Sequence, residues 1–176
     1  MFEPFAGSAA MTIYAAHHGM ARRFVVGDSL KAIVDLWGLI VANPSETEQH
    51  YRAIWQGQLT SGVDYFNQVR ARYNQARDPV DLRYLVCRCV KNAVRFNAQG
   101  NFTQSVDKRR MGMHPDKMKA AIDGVASLLA GRVEFRHGDW LDTTSDATSS
   151  DFVYMDPPYL GTSIGRDKRY HEQLAP

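Results

Sequence analysis

Short apolar runs alternate with helical apolar spacings along this chain, and their order predicts an α/β fold. Residues 2–5 and 24–27 have the pattern of short buried strands, each followed by small or acidic residues. The helix after the first strand is expected to have Ser8 as its N-cap and to run to about His18. A second helix is predicted from the apolar spacing after residue 29. Strand, helix, strand and helix in this order are typical of a doubly wound sheet, in which ligands bind at the carboxyl ends of the strands.

The middle of the chain has a different, mostly helical pattern. Residues 46–77 have polar helical spacing, and a stronger helix is predicted to begin near Pro79. The stretch RFNAQGNFTQ loses this spacing, and its Gln-Gly-Asn sequence at 99–101 predicts a hairpin or an ordered loop. One more helix precedes predicted strands at 133–136 and 152–155.

The length of this middle segment predicts the domain organisation. About 90 residues are inserted between two predicted strands, whereas an ordinary crossover needs only a dozen or more. We therefore expect residues 1–43 and 132–176 to form the α/β domain and residues 44–131 to be inserted into it. The sequence shows no internal repeat and no low-complexity tract.

Composition is that of an ordinary globular protein, with 44% apolar and 23% charged residues among 176. No apolar run approaches the ~20 residues that a membrane-spanning helix needs, and no signal-peptide pattern begins the sequence. The sequence therefore predicts a cytoplasmic protein. Cys87 and Cys89 lack the C-x-x-C spacing and the second ligand pair of a zinc site. We expect ordinary helix residues in a reducing compartment, with a redox or metal role as the alternative, and we predict no metal.

Charge is distributed unevenly along the chain. The formal net charge is +2, but residues 83–110 carry seven basic residues against the single acid Asp107, which gives 7 − 1 = +6. The rest of the chain is therefore at 2 − 6 = −4. A basic segment on a mildly acidic body indicates a polyanionic partner, while a solvated helix face is the alternative.

Three features coincide with predicted strand ends. EPFAGSA, residues 3–9, is a strand followed by a small-residue turn, which lets backbone N–H groups approach a ligand closely. Asp28 ends the second strand, where an acid can accept both ribose hydroxyls of a nucleoside cofactor. Asp139 follows the third strand in the same way. An ordinary tight turn and two N-cap residues are the alternatives, but all three features lie along one edge of one sheet.

The most informative motif is DPPY, residues 156–159, directly after the predicted strand FVYM. An aromatic amino nitrogen is a poor nucleophile because its lone pair is delocalised into the ring. A carboxylate and a backbone carbonyl that accept its two N–H bonds would pull it toward tetrahedral geometry, ready for in-line attack on a methyl group. The prolines fix the carbonyl's direction, and Tyr159 offers a face for stacking of the target base. A proline-rich turn after a strand is the alternative.

EPFAGSA followed far downstream by DPPY resembles the Dam-like class of DNA adenine methyltransferases, which use S-adenosylmethionine. GDSLKAIVDLW resembles the second motif of that family, and VRFNAQGNFTQSVDKR resembles the hairpin of its DNA-recognition subdomain. The resemblance implies a Rossmann-like methyltransferase sheet, here incomplete, with an inserted helical subdomain that binds double-stranded DNA. It also implies methyl transfer to the 6-amino group of adenine, in a family that commonly belongs to restriction-modification systems.

The resemblance also implies roles for individual residues. Asp28 would bind the ribose, Asp139 and Trp140 would lie near the adenine of the cofactor, and Arg95 would reach a base edge. The implied catalytic residues are Asp156, Pro157, Pro158 and Tyr159. The implied cofactor-binding residues are Pro4, Phe5, Ala6, Gly7, Ser8, Asp28, Asp139, Trp140 and Asp156. The implied DNA-binding residues are Lys91, Arg95, Asn97, Lys108, Arg109 and Arg110.

Several departures from the family pattern change the expectation. Ala9 stands where the family has a second glycine, and Asn92 and Ala93 stand where we expect the aromatic that fills the gap left by a flipped base. Segments that the family has before the first strand and after DPPY are missing, so we expect a partner chain to complete the enzyme. A non-catalytic DNA-binding subunit or fragment is one alternative. A guanine 2-amino methyltransferase of RNA is another, although the gap of 156 − 28 = 128 residues favours the Dam-like layout.

Overall fold

The structure is a computed structural model that describes residues 1–92 and 94–157. The chain divides into two compact units. The first consists of Met1–Pro44 together with Ala121–Pro157. The described residues of the second are Ser45–Ala120 without Ala93. No helix among the described residues is long and apolar enough to cross a membrane.

A small parallel sheet forms the centre of the first unit. Its strands are β1 (Phe2–Glu3), β2 (Phe24–Asp28) and β3 (Val133–His137), in the spatial order β1-β2-β3. On the other side of β1, Val153 forms a parallel bridge with Phe2. The described strands lie where the sequence predicts them, but the predicted strand at 152–155 is reduced to this bridge. The fold is therefore α/β, as predicted, with a three-stranded sheet in the described residues.

Four helices accompany the sheet in the first unit: α1 (Ala10–His17), α2 (Lys31–Ala42), the second part of α5 (Pro115–Leu129) and the short α6 (Trp140–Thr143). Their apolar residues form two buried clusters with the sheet. Phe24 packs with Ala15, Ala16 and Leu129 in one of them. Ala6, Ala9 and Val26 form the other. The second cluster includes Ala6 and Ala9 from the turn after β1, so this turn is packed against buried apolar residues.

The prediction of Ser8 as the N-cap of α1 is wrong. The N-cap is Ala9, whose side chain makes no cap hydrogen bond. The free N–H groups are instead bound by the buried carboxylate of Glu3, which accepts hydrogen bonds from Met11 at 3.3 Å and from Thr12 at 2.7 Å. An acid at a helix N-terminus is also favoured by the helix dipole. Glu3 thus ties the end of β1 to the start of α1.

The second unit is mostly helical. It contains nearly all of α3 (Pro44–Ala76), which is interrupted at Ser61 and Gly62, and α4 (Pro79–Arg88). Asp78 caps α4 by accepting hydrogen bonds from the N–H groups of Val80 and Asp81. A 3-10 turn at Val90–Asn92 follows, and α5 begins at Pro115. The largest fully buried side chains among the described residues of this unit are aromatic: Tyr51, Phe66, Tyr73, Tyr84 and Phe102.

The predicted hairpin is present between α4 and α5. Phe96 and Phe102 form an antiparallel bridge, and the N–H of Thr103 donates to the carbonyl of Arg95 at 3.0 Å. Gly100 has a φ of +71°, the left-handed conformation that favours glycine in a tight turn. The Gln-Gly-Asn signal in the sequence therefore identified a hairpin correctly.

Candidate active site

Asp28 and Asp156, the two most important acids of the predicted site, lie at equivalent positions along the chain segments on either side of β1. Phe2 pairs with Val25 of β2 on one side and with Val153 on the other. Asp28 and Asp156 each follow these partners by three residues, since 28 − 25 and 156 − 153 are both 3. Neighbouring strands lie about 4.8 Å apart, so the strands leading to these acids are separated by two such spacings. Both acids thus lie at the carboxyl edge, beside the turn that follows β1.

The turn after β1 is held by three hydrogen bonds to its backbone. The N–H of Ala6 donates to the carbonyl of Gly27 at 2.9 Å, and the N–H of Gly7 donates to Oδ2 of Asp28 at 2.9 Å. The indole Nε1 of Trp37, on α2, donates to the carbonyl of Gly7 at 2.9 Å. Both backbone groups of Gly7 are therefore bound, one by the last residue of β2 and the other by a residue of α2. This fixes the turn before any ligand arrives.

Gly7 itself faces open space. It is exposed, its φ is +47°, and a Cβ built on it would meet no atom within 4 Å. A ligand could therefore lie against the backbone at this point. Ala6 beneath it is buried, and Phe5 is half-buried. An open, backbone-lined turn at the end of a parallel strand is a place where a small ligand can bind.

Asp28 retains the capacity to bind hydroxyl groups. Its Oδ2 accepts from Gly7, and its Oδ1 accepts from the N–H of Leu30 at 2.8 Å. A carboxylate has about four lone-pair sites, so each oxygen keeps room for a further donor. The side chain therefore supports the entry to α2, although the N-cap of that helix is Leu30 and not Asp28, and it is also chemically suited to hold a ribose. The residues present fit S-adenosylmethionine on this count.

Asp139 has a clear structural task. It caps α6 by accepting a hydrogen bond from the N–H of Leu141 at 2.9 Å, as the alternative interpretation of this acid expects. It is exposed, and the next residue, Trp140, is half-buried. The N–H of Gly138 donates to the carbonyl of Asp28 at 3.2 Å. The end of β3 thus joins the end of β2 at the same edge of the sheet.

Ala9 has the backbone conformation of a glycine. Its φ is 50° and its ψ is 32°, and the residue is fully buried beneath the turn. L-residues with a side chain pay roughly 1–2 kcal/mol in this region. The departure from the family pattern at Ala9 therefore places a strained alanine in the cluster that supports the turn after β1.

The residues with predicted DNA contacts belong to the second unit. Lys91, Lys108, Arg109 and Arg110 are all exposed, and Arg95 is half-buried. Asn97 has a task within the hairpin: its Oδ1 accepts hydrogen bonds from the N–H groups of Gln99 at 3.0 Å and Asn101 at 2.9 Å. Its Nδ2 is not used in these bonds.

Asp107 organises the basic loop that follows the hairpin. Its buried carboxylate accepts from the backbone N–H of Arg109 at 2.9 Å and from Nε of Arg110 at 2.9 Å. These hydrogen bonds, that of the Arg109 backbone foremost, hold the pKa of Asp107 below its ordinary value. Both arginine side chains nevertheless stay largely exposed. The single acid of the basic segment thus orders this loop without covering it.

Arg88 does not contribute to the exposed basic surface, although it adds to the charge of the segment. It is buried, and its Nε donates to Oε1 of Gln58 at 2.8 Å. Its Nη1 donates to the carbonyl of Asp107. Gln58 in turn donates to the carbonyl of Met111 at 3.0 Å. The number of basic residues in this segment therefore overstates its exposed charge, because Arg88 is buried and hydrogen-bonded to the basic loop.

No group of three or more His, Cys, Asp or Glu side chains within residues 1–92 and 94–157 is arranged to hold a metal ion. Cys87, in α4, and Cys89, directly after it, are free thiols. Cys89 is buried.

The comparison with protein families decides the identification. Residues 1–175 match the model of the D12 class of N6 adenine-specific DNA methyltransferases. This chain belongs to that family. The resemblance drawn from EPFAGSA and DPPY is thereby confirmed, as is the prediction of an adenine-specific DNA methyltransferase family.

A relative of this D12-class chain is the type II methyltransferase M.FokI of Planomicrobium okeanokoites. The two sequences are 29% identical over 112 residues. The match covers 61% of this chain and 17% of M.FokI, so the chain spans about a sixth of the length of that relative.

Some residues of the candidate site need separate mention. Ala93, Pro158 and Tyr159 lie outside the described residues, while Asp156 is exposed and Pro157 half-buried. The roles of Pro158 and Tyr159, like those of the other site residues, stay predictions. Glu3 and Trp37 were missed as site residues by sequence reasoning. The only sequence signals were an acid inside the EPFAGSA motif and a tryptophan assigned to the apolar face of α2.

Proposed function

We propose that this chain transfers a methyl group from S-adenosylmethionine to the 6-amino group of adenine in duplex DNA. The observation that carries the proposal is the placement of Asp28 and Asp156 at matching heights beside the turn after β1. Membership of the D12 class supports the target base and the type of reaction.

The turn after β1 and the strand ends would hold the cofactor. Asp28 would accept hydrogen bonds from the ribose hydroxyls, while the backbone from Pro4 to Ser8 would line the methionine part. Asp139 and Trp140 would lie near the adenine ring. When bound, S-adenosylmethionine would supply an electrophilic methyl group from its positively charged sulfur, and that sulfur would leave as a neutral thioether. Asp28 is prepared for this task because the Gly7 and Leu30 N–H groups already fix the orientation of its carboxylate.

Asp156 and the proline turn would act on the target amine. The Asp156 carboxylate accepts one N–H bond of the adenine 6-amino group, and a backbone carbonyl of the Pro-Pro turn accepts the other. This draws the nitrogen lone pair out of conjugation and aims it at the methyl group. No general base is needed before methyl transfer, because the ammonium formed on nitrogen is acidic. Tyr159 would stack on the flipped base.

The hairpin and the basic loop would bind DNA. Lys91, Lys108, Arg109 and Arg110 are exposed and suited to phosphate contacts, which supply affinity but no sequence information. Arg95 would reach a guanine edge in the major groove, where a guanidinium binds bidentately. Asn97 would offer its amide nitrogen at the tip of the same hairpin. Residues 44–131, which the sequence predicts to be an insert in the α/β domain, would thus form the recognition subdomain.

A transfer assay with matched substrates tests the proposal. The chain, isolated with any protein that co-purifies with it, is incubated with methyl-labelled S-adenosylmethionine and plasmid DNA or a mixed-sequence RNA. We expect label in the adenine of DNA and none in RNA. Label in the guanine of RNA would support the alternative methyltransferase, and DNA binding without cofactor binding would support a non-catalytic subunit.

Completion of the enzyme by a partner chain stays a prediction. Its test is to purify the chain alone and together with the proteins that co-purify from the native source. Under this prediction the chain alone has little activity and gains it with the partner. A monomeric, well folded and fully active chain would contradict the prediction without touching the assignment of the reaction. A cytoplasmic location likewise stays a prediction.

A further inference from the structure

The hairpin in the second unit has few bonds of its own. Two backbone hydrogen bonds connect its arms near the turn, from Thr103 to Arg95 and from Asn97 to Asn101, both at 3.0 Å. An antiparallel bridge between Cys89 and Val106 joins the segments at its base. A two-stranded hairpin of this size is at best marginally stable in water. A fixed position for Arg95 and Asn97 therefore requires support from outside the hairpin.

That support comes from the end of α3. Arg70 and Asn74 lie one helical turn apart, and Arg77 directly follows the last helical residue, so the three share a side of α3. Arg70 Nη1 donates to the carbonyl of Gln104 at 3.2 Å. Arg77 Nη1 donates to the carbonyl of Gly100 at 2.6 Å, and its Nη2 to Oδ1 of Asn101 at 2.8 Å. These acceptors belong to the turn of the hairpin and to its second arm.

Asn74 takes the place of a neighbouring strand. Its Oδ1 accepts from the N–H of Phe102 at 2.7 Å, and its Nδ2 donates to the carbonyl of the same residue at 3.2 Å. One amide side chain thus satisfies both backbone groups of Phe102, as a β-ladder would. A shift of the hairpin by one residue would break both bonds together. Asn74 therefore fixes the register of the hairpin against α3.

Aromatic side chains also pack at this contact between α3 and the hairpin. Phe102 is buried, and its ring centroid lies 5.8 Å from that of Phe96 and 6.4 Å from that of Tyr73. Tyr73 lies next to Asn74 on α3 and is also buried. The guanidinium of Arg77 lies 5.7 Å from the centre of the Tyr73 ring. Polar bonds fix the register of the hairpin here, and the rings hold the two elements together.

We propose that Asn74, together with Arg70 and Arg77, is a positioning residue for sequence recognition by the hairpin. The inference rests on the proposed function, because it assigns these side chains to the discrimination between DNA sequences. The guanidinium groups of Arg70 and Arg77 donate hydrogen bonds to carbonyl oxygens of the hairpin, so we expect them to contribute little to phosphate binding. Asn74 transmits the position of α3 through Phe102 and Thr103 to Arg95. Loss of this support changes which sequences are methylated, and not only how fast.

The test combines hydrogen exchange with the mapping of methylated sites. Asn74→Asp keeps the size of the side chain but replaces the donor facing the Phe102 carbonyl with an acceptor. Asn67→Asp makes the same chemical change at an exposed position of α3 and is the matched control. In Asn74→Asp, exchange of the Phe102 and Thr103 amides accelerates by about tenfold, with no such change in the control. Plasmid DNA methylated by each protein is then sequenced to find the context of every modified adenine.

We expect Asn74→Asp to lose about fivefold or more of its discrimination at one base position, while Asn67→Asp keeps the wild-type motif. Arg77→Ala serves as a second variant, should Asn74→Asp not fold, with the same expected direction. The log–log salt dependence of its binding to a 30-base-pair mixed-sequence duplex stays unchanged, whereas Lys108→Ala lowers that slope by about 1. A uniform loss of methylation with an unchanged motif overturns the proposal, as does wild-type exchange at Phe102 in Asn74→Asp. Wild-type protein that methylates no adenine refutes the proposed function instead, and the exchange measurement still decides whether Asn74 holds the hairpin.

Discussion

The indole Nε1 of Trp37 donates a hydrogen bond to the carbonyl of Gly7 at 2.9 Å. This bond joins the second helix to the turn where the cofactor is proposed to bind. The indole itself packs against the buried cluster of Ala6, Ala9 and Val26. Trp37 thus holds the turn through its nitrogen and supports it through its ring.

Removing only the nitrogen of Trp37 separates these two contributions. Trp37→Phe keeps an aromatic ring in the cluster and deletes the donor to Gly7. We expect the dissociation constant of S-adenosylmethionine to rise by about fivefold, because one hydrogen bond that orders the turn is lost. Isothermal titration calorimetry measures this directly. Trp55→Phe is the matched control in the other unit, and equal affinities for all three proteins would contradict the role of Trp37.

Glu3 and Ser8 differ in their predicted effect on stability. Glu3→Ala removes the carboxylate that binds the Met11 and Thr12 N–H groups, so the free energy of unfolding should fall by about 1–3 kcal/mol. Ser8→Ala should change it by less than about 0.5 kcal/mol, since Ser8 does not cap α1. Urea denaturation of both variants measures the difference. A larger loss for Ser8→Ala than for Glu3→Ala would reverse the assignment of the cap.

Ala9 should tolerate glycine but not a branched residue. In Ala9→Gly, relief of the left-handed strain is offset by a lost buried methyl group and a more flexible unfolded chain, so we expect a change within about 1 kcal/mol. Ala9→Val keeps the strain and adds volume to a fully buried site, at a cost of about 2 kcal/mol or more. Thermal denaturation compares them. A valine variant as stable as the wild type would show that this backbone conformation is not required.

The sequence predicts the fold well where pattern and chemistry agree. The strand ends, the acids after them and the Gln-Gly-Asn hairpin all follow from local signals, and the structure places them as expected. The cap of α1 does not, because Glu3 is seven residues before the helix and reaches it only once β1 is folded. The role of Asn74 could not be predicted from the sequence either, because it lies in a polar helix and its partner Phe102 is 28 residues away. Long-range hydrogen bonds of this kind leave no periodic signal.

Asp107 gives the basic loop a predictable dependence on pH. Its folded-state pKa is lowered, chiefly by the backbone N–H of Arg109, so the carboxylate contributes stability above its unfolded pKa of about 3.9. That contribution is lost as the pH falls through the lower, folded pKa. We therefore expect the stability difference between wild type and Asp107→Asn to stay constant from about pH 7 to 5 and to shrink below about pH 4. Denaturation at each pH measures it, and a difference that grows on acidification would contradict the contacts with Arg109 and Arg110.

Identification of the methylated nucleoside tests the central claim most directly. The chain and its Asp156→Ala variant, each isolated with co-purifying proteins, are incubated with S-adenosylmethionine and unmethylated plasmid DNA. The nucleosides are then quantified by mass spectrometry. We predict N6-methyladenine with the wild type and none with Asp156→Ala, while both bind the plasmid with similar affinity because Asp156 lies outside the basic loop. N6-methyladenine at the wild-type level in Asp156→Ala, or methyl groups on another base, would contradict the account.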